Sequence, residues 1–212
     1  YVLQIQYFNV AGSIIGVVFS FFMVRNKVDF RKIFFLGFIL LAMSMLWLSY
    51  LFYPDTKVEA IAPTLMLEGI AQGVIFTPLV LYITGSVHPT MTGSAAQIGT
   101  AIRFWTTTIG FSIMQNAILF LTTKHQFLMT KNLDKTNPIF QEEWNNLYKK
   151  NIATHLPNEA ETITAIALKA KLYKQALLVS NIEIFRTLFV IGIVTAIIVI
   201  LYQPIKNRFL HR

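Results

Sequence analysis

Five stretches of this chain run for about twenty residues each without an Asp, Glu, Lys or Arg: 1–24, 33–53, 69–87, 104–123 and 187–205. A helix rising about 1.5 Å per residue needs about that length to cross the roughly 30 Å hydrocarbon core of a bilayer. Soluble core helices rarely give one such run, so five point to an all-α, polytopic membrane bundle with five transmembrane helices. Barrel strands would alternate polar and apolar residues over short segments, and these runs do not. Inside lipid every backbone amide must bond within its own segment, which requires helices. A signal peptide does not explain a pattern that recurs to the C-terminus. Charged residues make up 13% of the 212 residues, against about 25% in a soluble domain. The absence of cysteine excludes a disulfide scaffold and a thiolate metal site. Eighteen Lys and Arg against ten Asp and Glu give a net charge of +8. These cations sit mostly in short flanks and one loop, so the partner they imply is a lipid bilayer and not nucleic acid.

The flanks set the expected boundaries. The first span, about 1–24, stops at Arg25-Asn26-Lys27. The second, about 33–53, ends in the aromatic cluster Tyr50-Leu51-Phe52-Tyr53-Pro54, which reads as an interfacial belt. The third covers about 61–84 and the fourth about 93–121, and together they make residues 1–121 a four-span block. Residues 122–180 read as a long polar loop, and 181–212 as the last span, ending near Tyr202-Gln203-Pro204, with a basic tail. Within the loop, a helix is expected at about 158–178. Asn158 and Glu161 have capping-box spacing. Ile163, Ile166, Ala170, Tyr173 and Leu177 follow as an apolar stripe, with Lys169, Lys171 and Lys174 off it. Such a helix lies on the membrane or the bundle, or serves as a partner-binding surface.

Loop 25–32, loop 85–92 and the tail 206–212 fall on one side, with seven Lys or Arg in 23 residues. The other side has nine in 64. Long segments obey the positive-inside rule poorly, so density decides, and the first side is read as cytoplasmic.

A charge inside a span costs about 2.5–3.5 kcal/mol on insertion scales and usually faces protein or a wet cavity. Arg103 lies about ten residues into the fourth span, or about 15 Å deep. It is either a cavity charge or an interhelical hydrogen-bond donor. Glu68, in the third span, is a candidate proton carrier or the partner of a cation. Glu183 and Arg186, early in the last span, are explained by snorkelling. Gln97, Thr100, Arg103 and Thr107 recur at spacings of 3, 3 and 4 and are expected on one helical face, with Gln72 among the polar residues of the third span. That stripe is a lined cavity or hydrogen-bond glue between helices. Gly12 with Gly16, Gly69 with Gly73, and Ser94-Ala95-Ala96 with Gly99 mark close helix contacts. Pro78 is expected to kink the third span. His88, His125, His155 and His211 are scattered, and neither a metal-ligand spacing nor a catalytic constellation accompanies them. The sequence therefore gives no reason to read an enzyme, a metal site or a cofactor.

The order of these features resembles the C-terminal part of the fourteen-helix drug:proton antiporters of the major facilitator superfamily, the EmrB/QacA type. Asn26-Lys27-Val28-Asp29-Phe30-Arg31 looks like that family's short loop between helices ten and eleven. Glu68-Gly69 followed by Phe76-Thr77-Pro78-Leu79 is similar to its twelfth helix. Ile102-Arg103 with Gly110 looks like its arginine–glycine motif in helix thirteen, and Asn181 to Arg186 like the approach to helix fourteen. Thr107 stands where the family often has glycine, and Glu68 where it often has Gln or Arg.

The resemblance implies helices ten to fourteen of a multi-pass transporter in the bacterial inner membrane. It places loop 25–32 and the C-terminus in the cytoplasm and loop 124–180 outside. A chain beginning at Tyr1 is then expected to be a fragment whose N-terminal half is missing, and which does not transport alone. Export of a small lipophilic substrate would be driven by a proton gradient. Arg103, Gln97, Thr100 and Thr107, with Gln72 and Glu68, would line the C-terminal wall of its cavity. In Gram-negative members a periplasmic adaptor is a further partner. Two other readings stay open: a facilitator exporting a metabolite, lipid or siderophore, and a non-transport membrane scaffold built on loop 124–180.

Overall fold

The computed structural model of the protein describes residues 2–53, 56, 58–131, 138–153 and 156–201. Pro54, His155, and the segment 202–212 with its expected cytoplasmic tail lie outside them. Among the described residues six α-helices follow in order: α1 (Val2–Arg25), α2 (Phe30–Leu51), α3 (Val58–Gly85), α4 (Thr92–Lys131), α5 (Pro138–Ile152) and α6 (Pro157–Leu201). A single 3-10 turn at Pro89–Met91 precedes α4, and no strand occurs among the described residues. Five of the helices, α1, α2, α3, α4 and α6, are long and apolar enough to cross a membrane. That number and composition are compatible with a multi-pass membrane protein.

The chain divides into two compact units, residues 1–111 with 182–212, and residues 112–181. In the first, helix direction alternates. α1 and α3 run parallel, since Asn9 meets Leu65 and Ser20 meets Val74. α2 runs against α6, because Phe52 stacks on Phe185 while Gly192 lies against Ala42. α4 runs against α3, with Arg103 over Phe76 and Gly99 near Ile83. Up-and-down order through five helices is what five successive membrane crossings require.

The turn between α1 and α2 is fixed at both ends. Val28 N–H donates to the Met23 carbonyl at 3.1 Å and Lys27 N–H to the Val24 carbonyl at 2.9 Å. That is a Schellman cap. Its left-handed position, normally glycine, is held by Lys27 at φ 58°. Asp29 then caps α2, accepting from the Arg31 backbone N–H at 3.1 Å and pairing with the Arg31 guanidinium at 3.2 Å. Below the turn Phe30, Ile33, Phe34 and Val74 form a buried cluster, packed by Met23, Val24 and Val28.

α3 packs against both α1 and α2. The α1–α3 contact is made by glycine. A Cβ on Gly12 would strike the Met66 carbonyl, and one on Gly16 the Ile70 carbonyl. In return, a Cβ on Gly69 would strike the Asn9 carbonyl, and one on Gly73 that of Ser13. Each helix thus presses its backbone onto the other's, where only a hydrogen fits. Pro78 is fully buried within α3. A proline there leaves the carbonyl four residues back without its helical donor. That carbonyl belongs to Val74, and buried Ser20 of α1 donates to it at 3.1 Å.

The second unit contains α5 and the adjoining parts of α4 and α6. Residues expected as a polar loop are here helical. α4 runs on past residue 121 to Lys131. α6 takes in both the expected amphipathic helix and the last apolar run without a break. The reason is local: neither Gly nor Pro occurs from 111 to 131 or from 158 to 191. Lysines end a span without ending a helix. α6 starts at Pro157, so Asn158 lies in its first turn and does not cap it; Ala160 N–H donates to the Leu156 carbonyl instead.

The expected stripe is also corrected. Ala160, Thr164, Leu172, Ala176 and Ser180 are buried, whereas Ile166 is 64% and Tyr173 49% exposed. The small residues face inward, where they allow close approach, and the large ones face out. Asn151 donates to Thr164 at 3.0 Å and Lys171 pairs with Glu143 at 2.6 Å, which ties α5 to α6. Thr122 of α4 is buried with its hydroxyl unpaired among the described residues. Thr122→Val keeps the shape and removes that group. It is expected to stabilise the unit by about 1 kcal/mol, read as slower amide exchange across residues 112–131. Faster exchange would show that the hydroxyl has a partner.

Candidate solute-binding cleft

Arg103 stands on α4 opposite Phe76 of the antiparallel α3. One turn before it, a Cβ on Gly99 would lie 3.4 Å from Ile83, an ordinary contact. Between them is a cleft of about 290 Å³. Phe76, Leu79, Val80, Ile83 and Thr84 of α3 form one wall, and Ala96, Gly99, Thr100 and Arg103 of α4 the other. Its lining is mostly apolar and carries one charge. The Arg103 guanidinium carbon stands 5.0 Å from the centre of the Phe76 ring, within cation–π range. Arg103 has no carboxylate partner among the described residues.

Glu68, Gln72 and Phe76 succeed one another at four-residue intervals along α3, so they share a face. Gln72 donates to the Glu68 carboxylate at 3.1 Å. Glu68 is half-buried. From Phe76 it is two turns away, about 12 Å along the axis. It therefore stands off the cleft and is not an ion-pair partner of Arg103.

The polar stripe expected on α4 does not form one wall. Thr100 and Arg103 line the cleft. Gln97 lines a second, more open depression with Ala101, Phe104 and Trp105, and Ala96 and Thr100 line both. Two spacings of three leave Gln97 and Arg103 about 120° apart around the helix. Thr107 lines neither, and its hydroxyl donates to the Arg103 carbonyl at 2.8 Å. The Thr100 hydroxyl donates to the Ala96 carbonyl at 2.9 Å.

The glycines also separate. Gly12, Gly16, Gly69 and Gly73 are packed on backbone, and Gly99 touches a side chain at ordinary distance. A Cβ on Gly110 would meet no atom within 4 Å, so the packing role expected for Gly110 is absent among the described residues. At the other end of α2, Arg186 lies 6.0 Å from the Tyr50 ring centre, beside the Phe52–Phe185 stack. It takes no part in the cleft.

Sequence reasoning missed the apolar wall: Leu79, Val80 and Ile83 look like any lipid-facing residues until α4 is set against them. Only Phe76, one turn beyond Gln72 on the face of Glu68, offered a signal. No protein-family model, curated protein or solved structure matches the chain.

Proposed function

We propose that the chain is part of a membrane transporter that exports small lipophilic solutes in exchange for protons, in the manner of the fourteen-helix antiporters it resembles. The observation that carries this reading is the α3–α4 cleft. It is apolar-walled, opens within the apolar helices, and holds a single cation, Arg103. A pocket with a few convergent polar groups in apolar walls is the default candidate for a binding site. A charge retained at that depth is costly unless it is used.

Glu68, held by Gln72 one turn from Phe76, is the candidate proton carrier. In this reading the α1–α2 turn, with Arg25, Lys27, Arg31 and Lys32, faces the cytoplasm of a bacterial cell. Residues 124–180 face outward. In this reading the transporter's other half would close the cavity from the other side and move against these helices. Export of another solute, such as a metabolite or lipid, shares the same cleft. The scaffold reading draws on the second unit, where Ile166 and Tyr173 leave an apolar face uncovered.

The test is gradient-driven flux of a fluorescent lipophilic solute in inverted vesicles carrying the full-length gene product. Arg103→Ala is expected to lower flux about tenfold or more at equal abundance, the scale of one lost charged hydrogen bond. Glu68→Gln is expected to remove the dependence on the pH gradient. Unchanged flux and unchanged coupling in both variants would remove the transport reading.

A further inference from the structure

We propose that the cleft between α3 and α4 takes a lipophilic anion: an apolar body of ring or chain carbons carrying one carboxylate or sulfonate, bound with its charge against Arg103. The proposal rests on the binding-cleft reading above and names its ligand class.

Four features carry it. The lining contains one ionisable group, and it is positive. Arginine stays charged at any physiological pH. Its charge is also unspent. The guanidinium carbon lies over the Phe76 ring, 5.0 Å from its centre. That contact is not a hydrogen bond, and a planar oxyanion can meet two guanidinium N–H donors at once. No carboxylate pairs with Arg103 among the described residues. The negative charge on the same face of α3, Glu68, is about 12 Å along the helix from Phe76 and is engaged by Gln72. A cation entering the cleft would therefore meet repulsion before it met any attraction. Finally, the lining sorts by polarity. Arg103 stands at one end, beside Phe76; Leu79, Val80 and Ile83 extend from there toward Thr84 and Ala96. An amphiphile with an acidic head and an apolar body matches that order, with its head toward the middle of the helices. The volume, about 290 Å³, is at the lower edge of ligand pockets and limits the ligand to a small one.

The experiment uses the whole chain in nanodiscs of zwitterionic lipid, with empty nanodiscs subtracted. Three probes share one ring system and differ in charge: 1-naphthoate, 1-naphthylmethylammonium and 1-naphthalenemethanol. Saturable binding is measured by fluorescence anisotropy. Naphthoate is expected to bind about tenfold tighter than either of the others. Arg103→Gln is expected to weaken naphthoate about tenfold while leaving the alcohol unchanged. Arg103→Lys should fall between, since it keeps the charge and loses the two-pronged geometry. The comparison among probes on the native chain decides the sign even if Arg103→Gln does not fold. If the ammonium or the alcohol binds as tightly as naphthoate, the anion class is wrong and the cleft survives as a site. If naphthoate binds equally to native protein and folded Arg103→Gln, the anion site lies elsewhere. If none of the three binds saturably, the proposal and the binding-cleft reading fail together.

Discussion

Gly69→Ala is expected to destabilise the protein by about 2–4 kcal/mol, and Gly110→Ala to stabilise it by about 0.5–1 kcal/mol. The two substitutions are chemically identical and both lie inside α-helices. Helix propensity alone makes each favourable, because alanine orders a helix at less entropic cost than glycine. At Gly110 nothing opposes that gain, since a Cβ there meets no atom within 4 Å. At Gly69 the new methyl would collide with the Asn9 carbonyl of α1, and behind it with the Ser13 amide nitrogen. Backbone cannot swing aside as a side chain can, so the helices must separate. Separation loosens the reciprocal contacts of Gly12, Gly16 and Gly73, and stretches the bonds from Asn9 to the Leu65 carbonyl and from Ser20 to the Val74 carbonyl. Gly37→Ala should be milder. Its obstacle is the Ile75 side chain, whose Cγ1 would lie 2.5 Å away but can change rotamer. Thermal unfolding in detergent, followed by circular dichroism, reads all three. A kcal/mol moves the midpoint by about 2–4 °C in a chain of this size. A rise in midpoint for Gly69→Ala would mean that α1 and α3 are not in backbone contact.

The glycines show how much of the fold was legible. The pairs Gly12–Gly16 and Gly69–Gly73 stand out by spacing, and so do the apolar runs. Neither says which helix faces which; the parallel fit of α1 onto α3 depends on α2 carrying the chain back along another side of α3. Helix ends were harder to see than span ends. Lys124 marks where apolar character stops, yet α4 continues through it to Lys131, because a lysine is a good helix former. Likewise, the inward face of α6 in the second unit carries Ala160, Thr164, Ala176 and Ser180, and a search for large apolar residues passes over them. In the cleft, Arg103 was visible because a cation in an apolar helix is conspicuous. Gln97 was grouped with it by spacing, although two steps of three residues rotate it out of the cleft. Leu79, Val80 and Ile83 carry no mark at all, since an apolar residue facing a ligand has the same composition as one facing lipid.

Ser20→Ala is expected to destabilise the protein by about 1.5 kcal/mol, near the upper limit for a side-chain hydrogen bond between membrane helices. Such bonds average only about 0.6 kcal/mol, because in most cases the orphaned group finds another partner. The Val74 carbonyl has less freedom. Pro78 has no N–H to give it, and both Val74 and Pro78 are fully buried. Ser20, itself fully buried, supplies the missing donor at 3.1 Å. The dependence can be isolated with a double-mutant cycle. Pro78→Ala restores the residue-78 N–H, so the carbonyl regains its helical partner. In that background Ser20→Ala should be nearly neutral, costing less than about 0.5 kcal/mol. The coupling between the two sites is then about 1 kcal/mol or more. An equal loss in both backgrounds would show that the Val74 carbonyl is satisfied in some other way. Coupling would show more than a hydrogen bond. It would mean that α1 supplies what the proline removes, so that α3 is held at Pro78 by its neighbour. The two helices would then have to move as one body, since parting them would expose the carbonyl. Phe76 and Leu79, which flank Pro78 and line the cleft, would be carried with that body. A change in the cleft would then come from α4, the other wall, and not from a flexing of α3.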